Sequence, residues 1–132
     1  MKKTQPVTTV LVVDDEQAIR RVQRRILERE GYQVREVGNG AEAIALLADD
    51  APIDLLIADL EMPEVKGEEM ARRFRMARPD QKILYVSGVV DRMLDERQML
   101  WEGEAYLRKP FTPTGLSEAV ALLLFGRLRR QQ

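Results

Sequence analysis

The chain has 132 residues, 45% of them hydrophobic, which suits one domain with a real core. Its 21 basic and 22 acidic residues leave a net charge of -1, so charge gives no bulk reason to expect nucleic acid or an acidic membrane as a partner. Cysteine and histidine are both absent, which excludes disulfides, thiol catalysis, Cys- or His-ligated metal, Ser-His-Asp hydrolysis and a phosphohistidine donor within these residues.

Short β-branched runs alternate with segments of helical period. Residues 8–13 (TTVLVV) form a near-continuous apolar run, as a parallel strand covered on both faces requires. Residues 16–30 read as a helix with Ala18, Ile19, Val22 and Ile26 on one face and Arg20, Arg21, Arg24 and Arg25 on a solvated one, ended by Gly31. Glu16–Arg20 and Arg24–Glu28 are spaced for salt bridges. A second strand covers 33–37. Asn39 then reads as an N-cap with Glu42 completing a capping box, and the helix runs to Ala48. Residues 54–59 (DLLIAD) are a third strand, 67–78 a helix stopped by Pro79, and 82–87 (KILYVS) a fourth strand.

A ragged helix is predicted over 91–101 and a short fifth strand over 105–108. Thr112 caps the last helix, with Pro113 at its first position and Leu116, Ala119, Val120 and Leu123 as its buried stripe. The longest clean apolar run, 119–125, is far too short to span a bilayer, and no apolar signal region follows the basic start. A soluble cytoplasmic protein is expected. One domain over 7–128 is predicted, with flexible ends at 1–6 and 129–132. The β-α alternation predicts a doubly wound α/β fold: a five-stranded parallel sheet of order 2-1-3-4-5 with helices on both faces.

In open sheets of this kind the ligand crevice lies beyond the carboxyl ends of the strands. Strand one ends in Asp14-Asp15, strand three in Asp59 and strand four in Ser87-Gly88, and strand five is followed by Lys109-Pro110. Three carboxylates brought together resist ionisation unless a cation joins them. An all-oxygen, open site suits Mg²⁺. Metal beside an ammonium is also what phosphoryl transfer needs, and a carboxylate can act as the nucleophile and form an acyl phosphate.

Four motifs in order, Leu11-Val12-Val13-Asp14-Asp15-Glu16, Asp59-Leu60-Glu61-Met62-Pro63 with Gly67, Ser87-Gly88, and Tyr106-Leu107-Arg108-Lys109-Pro110-Phe111, resemble the response-regulator receiver domain over about 7–128. The fold implied is flavodoxin-like. The resemblance implies that Asp59 is the phosphoacceptor. Asp15 and Asp59 would ligate Mg²⁺ (or Mn²⁺ as a substitute), with Asp14 helping and the Glu61 backbone carbonyl as a further ligand. Lys109 would pair with Asp59 and then with the phosphoryl oxygens, and Ser87 would hydrogen-bond the phosphoryl group. Ser87 and Tyr106 would be the switch residues, the Lys109-Pro110 bond would be cis, and Met62, Pro63 and Gly67 would shape the loop after strand three.

The partners implied are a histidine kinase or histidine phosphotransfer protein, and a downstream protein target or fused domain. No direct nucleic-acid or membrane contact is implied. The helix at 91–101, strand five and the last helix form the output face, which can also serve a homodimer. Two departures stand out. Ser87 replaces the more usual threonine, and Glu61 adds an acid beside the site that bears on phosphoryl lifetime. The stretch 89–104 departs most from a regular helix and, with residues 103–106 (GEAY), resembles receivers fused to the end of hybrid sensor kinases.

Blander readings remain for each residue alone. Asp14-Asp15 can cap a helix, Asp59 can be a turn residue, Ser87-Gly88 a plain turn, Lys109 a surface lysine and Tyr106 a packed strand tyrosine. Trp101, Leu122, Leu124 and Phe125 can be a dimer face or ordinary core and scattered surface. A phosphohydrolase with Asp59 as transient nucleophile and Glu61 as second acid is a competing class, although nothing in the sequence would form its cap. A receiver that only docks is another.

Overall fold

The computed structural model describes residues 7–88 and 103–126. Five strands, β1 (Thr9–Val13), β2 (Gln33–Val37), β3 (Leu55–Asp59), β4 (Lys82–Ser87) and β5 (Glu104–Arg108), pair in parallel in the order β2-β1-β3-β4-β5. Four helices are described, α1 (Gln17–Arg29), α2 (Gly40–Ala48), α3 (Gly67–Ala77) and α4 (Pro113–Phe125). The sheet order is the predicted one. The helix expected at 91–101, with Trp101, and the basic tail Arg127, Arg129 and Arg130 lie outside the described residues.

Side chains of a strand alternate between faces, and here both faces are covered. Leu11, Val13, Leu56, Ala58, Ile83 and Tyr85 join Met70, Ala71 and Phe74 of α3 in one core layer. Val10, Val12, Leu55, Ile57, Leu84 and Val86 join Leu27 of α1 and Leu116 and Val120 of α4 in the other. The central strands therefore have no polar face, which is why they read as unbroken apolar runs. The strand order reverses at β1, with β2 added on one side and β3 on the other, and the crevice where the site lies opens at this switch point.

Local signals behave largely as expected. The Asn39 side chain accepts from the Glu42 N–H at 2.8 Å, and the Glu42 carboxylate accepts from the Gly38 N–H at 3.4 Å, one residue earlier than a full capping box would place it. Thr112 accepts from the Gly115 N–H at 2.9 Å, and α4 ends on Gly126 in the left-handed conformation.

The face of α1 is a correction. Ala18 and Val22 are exposed, and the buried positions are Gln23 and Leu27, with Ile19 and Ile26 partly covered. Two of the four arginines are not a solvated face. Arg20 and Arg24 both reach Glu36 on edge strand β2, and Arg20 also donates to the Asp14 carbonyl at 2.6 Å. Arg20 thus pairs with Glu36 rather than with Glu16, whereas Arg24–Glu28 forms at 3.1 Å as its spacing suggests. These guanidinium groups turn the helix so that their own side lies over the sheet edge, which rotates Val22 outward.

The supposed dimer face also divides. Leu124 packs against the core, and Phe125 stacks on Tyr32 with ring centroids 6.4 Å apart, while Leu122 and Phe125 stay half exposed.

Candidate functional site

Three strand ends and the residue after β5 meet at one edge of the sheet. Asp14 follows β1, Asp59 closes β3, Ser87 closes β4 and Lys109 follows β5. The Lys109 N–H donates to the Ser87 carbonyl at 3.0 Å, continuing the β4–β5 ladder and fixing where the lysine leaves the sheet. The Lys109-Pro110 bond is cis, as the resemblance implies. Its ammonium lies 3.1 Å from Asp14 Oδ2 and 3.3 Å from Asp59 Oδ1, bridging two carboxylates that are themselves almost fully buried.

Asp15 is exposed, yet it offers a carboxylate oxygen within 4.8 Å of those of Asp14 and Asp59. Three hard anionic oxygens converging beside solvent form a donor set that fits Mg²⁺, which keeps part of its water shell. Asp14 does not cap α1, whose N-cap is Glu16 with no side-chain cap bond. Its Oδ1 accepts from the Glu16 N–H at 2.9 Å at the entry to α1, while its Oδ2 takes the lysine.

Burial raises Asp59 from its ordinary value near 4 to about 6. The Glu61 N–H, which donates to Asp59 Oδ1 at 3.0 Å, opposes that rise, the charge of Asp14 adds to it, and Lys109 opposes it again. Burial pulls Lys109 down, but the hydrogen bond and charge of Asp14, aided by Asp59, outweigh it and hold the ammonium above its ordinary range.

One prediction follows for the metal-free protein. An acid raised in the folded state binds its proton more tightly there than in the unfolded chain. Asp59 therefore contributes nothing to the pH dependence below about pH 4, erodes stability as pH rises to about 6, and leaves a constant penalty above that. Asp59→Asn, measured by urea unfolding in EDTA, should stabilise by about 1–2 kcal/mol at pH 7.5 once solvent screening in the open crevice is allowed for. The gain should vanish near pH 4. A variant less stable than wild type at pH 7.5 would contradict this.

The remaining expected residues are near but differently engaged. Ser87 is fully buried, and its hydroxyl donates to Glu61 Oε1 at 3.3 Å, an atom that also accepts from the Gly88 N–H at 3.0 Å. The sequence pointed to the backbone carbonyl of Glu61 and missed this use of its side chain. An acid two residues beyond a strand-end aspartate, opposite a Ser-Gly end, was the available signal. Tyr106 packs in the α3-side core layer, its ring 5.2 Å from that of Tyr85. Met62 is buried, Val65 packs beside it, and Gly67 abuts the Asp59 backbone, so the loop after β3 is clamped against the sheet.

A doubly wound sheet with an acid cluster and a lysine at its switch point is the architecture of a phosphoacceptor switch domain. The family described as "Response regulator receiver domain" matches residues 10–121, and the chain belongs to it. It is a phosphoacceptor domain of two-component signalling.

Among curated proteins, the chain is 32% identical over 117 residues to the sensor kinase CckA of Brucella abortus, covering 88% of this chain and 12% of that one. It is 33% identical over 110 residues to the response regulator SaeR of Staphylococcus aureus, covering 83% of this chain and 47% of SaeR. The chain thus spans less than half of either relative. The crystal structure of response regulator TrrA from Thermotoga maritima, a complex with Mg²⁺ and BeF, superposes with a TM-score of 0.77 at 34% identity, covering 89% of this chain and all of that one. No helix among the described residues is long and apolar enough to cross a membrane.

Proposed function

We propose that Asp59 accepts a phosphoryl group from a phosphohistidine of a histidine kinase or phosphotransfer protein. The 132 residues contain no histidine, so the donor lies outside them. The observation that carries this reading is the bridge of Lys109 between buried Asp14 and Asp59, with Asp15 close enough to share a cation.

Asp14, Asp15 and Asp59, with the Glu61 backbone carbonyl, are the residues that would hold Mg²⁺. When bound, the ion neutralises charge on the phosphoryl oxygens. The TrrA complex with Mg²⁺ and BeF supports that assignment. An Asp59 oxygen attacks phosphorus, the P–N bond breaks, and the imidazole nitrogen leaves with the bonding pair and takes up a proton. Lys109 then follows the new charge, and Ser87 donates its hydroxyl to a phosphoryl oxygen.

The added dianionic group biases an equilibrium between two arrangements of Ser87 and Tyr106. The output is read at the face of β5 and α4, by a protein target, a fused domain or a second copy. The carboxylate of Glu61 is engaged by the Ser87 hydroxyl and the Gly88 N–H rather than left free as an acid–base group, which favours the switch over the enzyme reading.

Incubation with acetyl phosphate and Mg²⁺ should add one phosphoryl group, located on Asp59 by mass spectrometry. Asp59→Ala, or EDTA, should remove it. Label retained in Asp59→Ala overturns the assignment.

A further inference from the structure

Glu61 is anchored twice. Its backbone N–H donates to Asp59 Oδ1 at 3.0 Å, and its carboxylate crosses to β4, where Oε1 accepts from the Ser87 hydroxyl at 3.3 Å and the Gly88 N–H at 3.0 Å. This position needs a cause. Asp14, Asp15 and Asp59 already crowd the same edge around one ammonium, so a fourth carboxylate is repelled toward solvent unless donors hold it. The hydroxyl and the amide are those donors, and hydrogen bonds to an ionised acceptor are among the stronger ones.

A phosphoryl group on Asp59 brings about two negative charges and three strong acceptor oxygens to this place. The donors within its reach at the end of β4 are the same hydroxyl and amide. Each has one proton to give, so the Glu61 carboxylate and a phosphoryl oxygen cannot both be served well, and their charges repel.

We propose that Glu61 is a built-in anion that occupies the phosphoryl-oxygen donors of Ser87 and Gly88 in the unmodified protein and is displaced when Asp59 is phosphorylated. The inference rests on Asp59 being the acceptor. Glu61 is a positioning residue here. It holds the end of β4 in a phosphoryl-like arrangement before any phosphoryl arrives, and it competes with the group that replaces it.

The test combines kinetics with a resonance that reports the contact directly. Glu61→Ala keeps the backbone carbonyl and removes the carboxylate. Its labelling rate with acetyl phosphate and Mg²⁺ should rise about tenfold, the scale of one charged hydrogen bond that no longer has to be broken. Glu61→Gln, neutral but still an acceptor, should fall between the two.

In the unmodified protein the Gly88 amide resonance should move upfield in Glu61→Ala. In the phosphorylated proteins it should coincide with that of wild type, because the carboxylate has left in both. A Gly88 amide unmoved by Glu61→Ala, with equal labelling rates, overturns the inference and leaves the acceptor reading standing. Failure of both proteins to label on Asp59 overturns the acceptor reading, and this inference with it.

Discussion

Gly67→Ala should cost about 3 kcal/mol of stability and slow phosphorylation sharply, although it puts a better helix former at the first turn of α3. A Cβ at this position would overlap the Asp59 carbonyl oxygen and lie 3.0 Å from both the Asp59 carbonyl carbon and Leu60 Cα. All three are backbone atoms of the strand end that carries Asp59, the proposed acceptor. They can yield only by moving β3 or by pushing α3 outward, and α3 is held by Met70, Ala71 and Phe74 in the core.

Propensity at a helix start favours alanine by about 1 kcal/mol, which is less than the cost of moving packed backbone. Gly40 gives the comparison. An added methyl there first meets the Val65 side chain at 2.8 Å and reaches backbone only at the Val65 carbonyl, 3.2 Å away, so Gly40→Ala should be the milder variant. Urea unfolding and acetyl phosphate labelling of the two variants decide the matter. A Gly67→Ala protein with wild-type midpoint and labelling rate would mean that α3 is free to shift.

The residues of the site were legible in the sequence because a parallel sheet collects its strand ends at one edge, so that Asp14, Asp59, Ser87 and Lys109 needed only strand assignments to be brought together. The strands themselves were legible because burial on both faces leaves runs such as LLIA with no polar interruption.

What failed was the detail that depends on partners distant in sequence. The buried stripe of α1 was misplaced because Arg20 and Arg24 are drawn to Glu36 on β2, and no periodicity within the helix encodes an acid on another strand. Gln23, polar in composition, lies buried where an apolar residue was sought. The Glu61 side chain was read as an added charge because its partners lie 26 and 27 residues further along the chain. Gly67 could be marked as a loop-shaping residue, but only the approach of the Asp59 backbone explains why a methyl is excluded there.

The other large effect is expected far from the phosphoryl crevice, at the opposite end of β5. Glu104 opens that strand with its side chain only 1% exposed, and Arg75 of α3 reaches its Oε2 at 2.8 Å while the Tyr85 hydroxyl donates to the same oxygen at 3.0 Å. A buried pair of this kind adds little over an apolar substitute, but losing the guanidinium removes a counter-charge from a carboxylate held away from water. Arg75→Ala should therefore cost about 3 kcal/mol in the wild-type background and only about 1 kcal/mol in Glu104→Gln, where the remaining group is neutral and can still accept from Tyr85. Unfolding midpoints around that double-mutant cycle measure the difference, and equal costs in both backgrounds would mean that the pair is solvated.

The pair also bears on phosphorylation. At the outer edge of the described sheet, β5 pairs only with β4, and a slip of one residue would turn Tyr106 away from Tyr85 and carry Lys109 about 3.3 Å along the strand, out of reach of both Asp14 and Asp59. The Arg75–Glu104 contact ties the start of that strand to α3 and so helps to fix the register that delivers the lysine at its end.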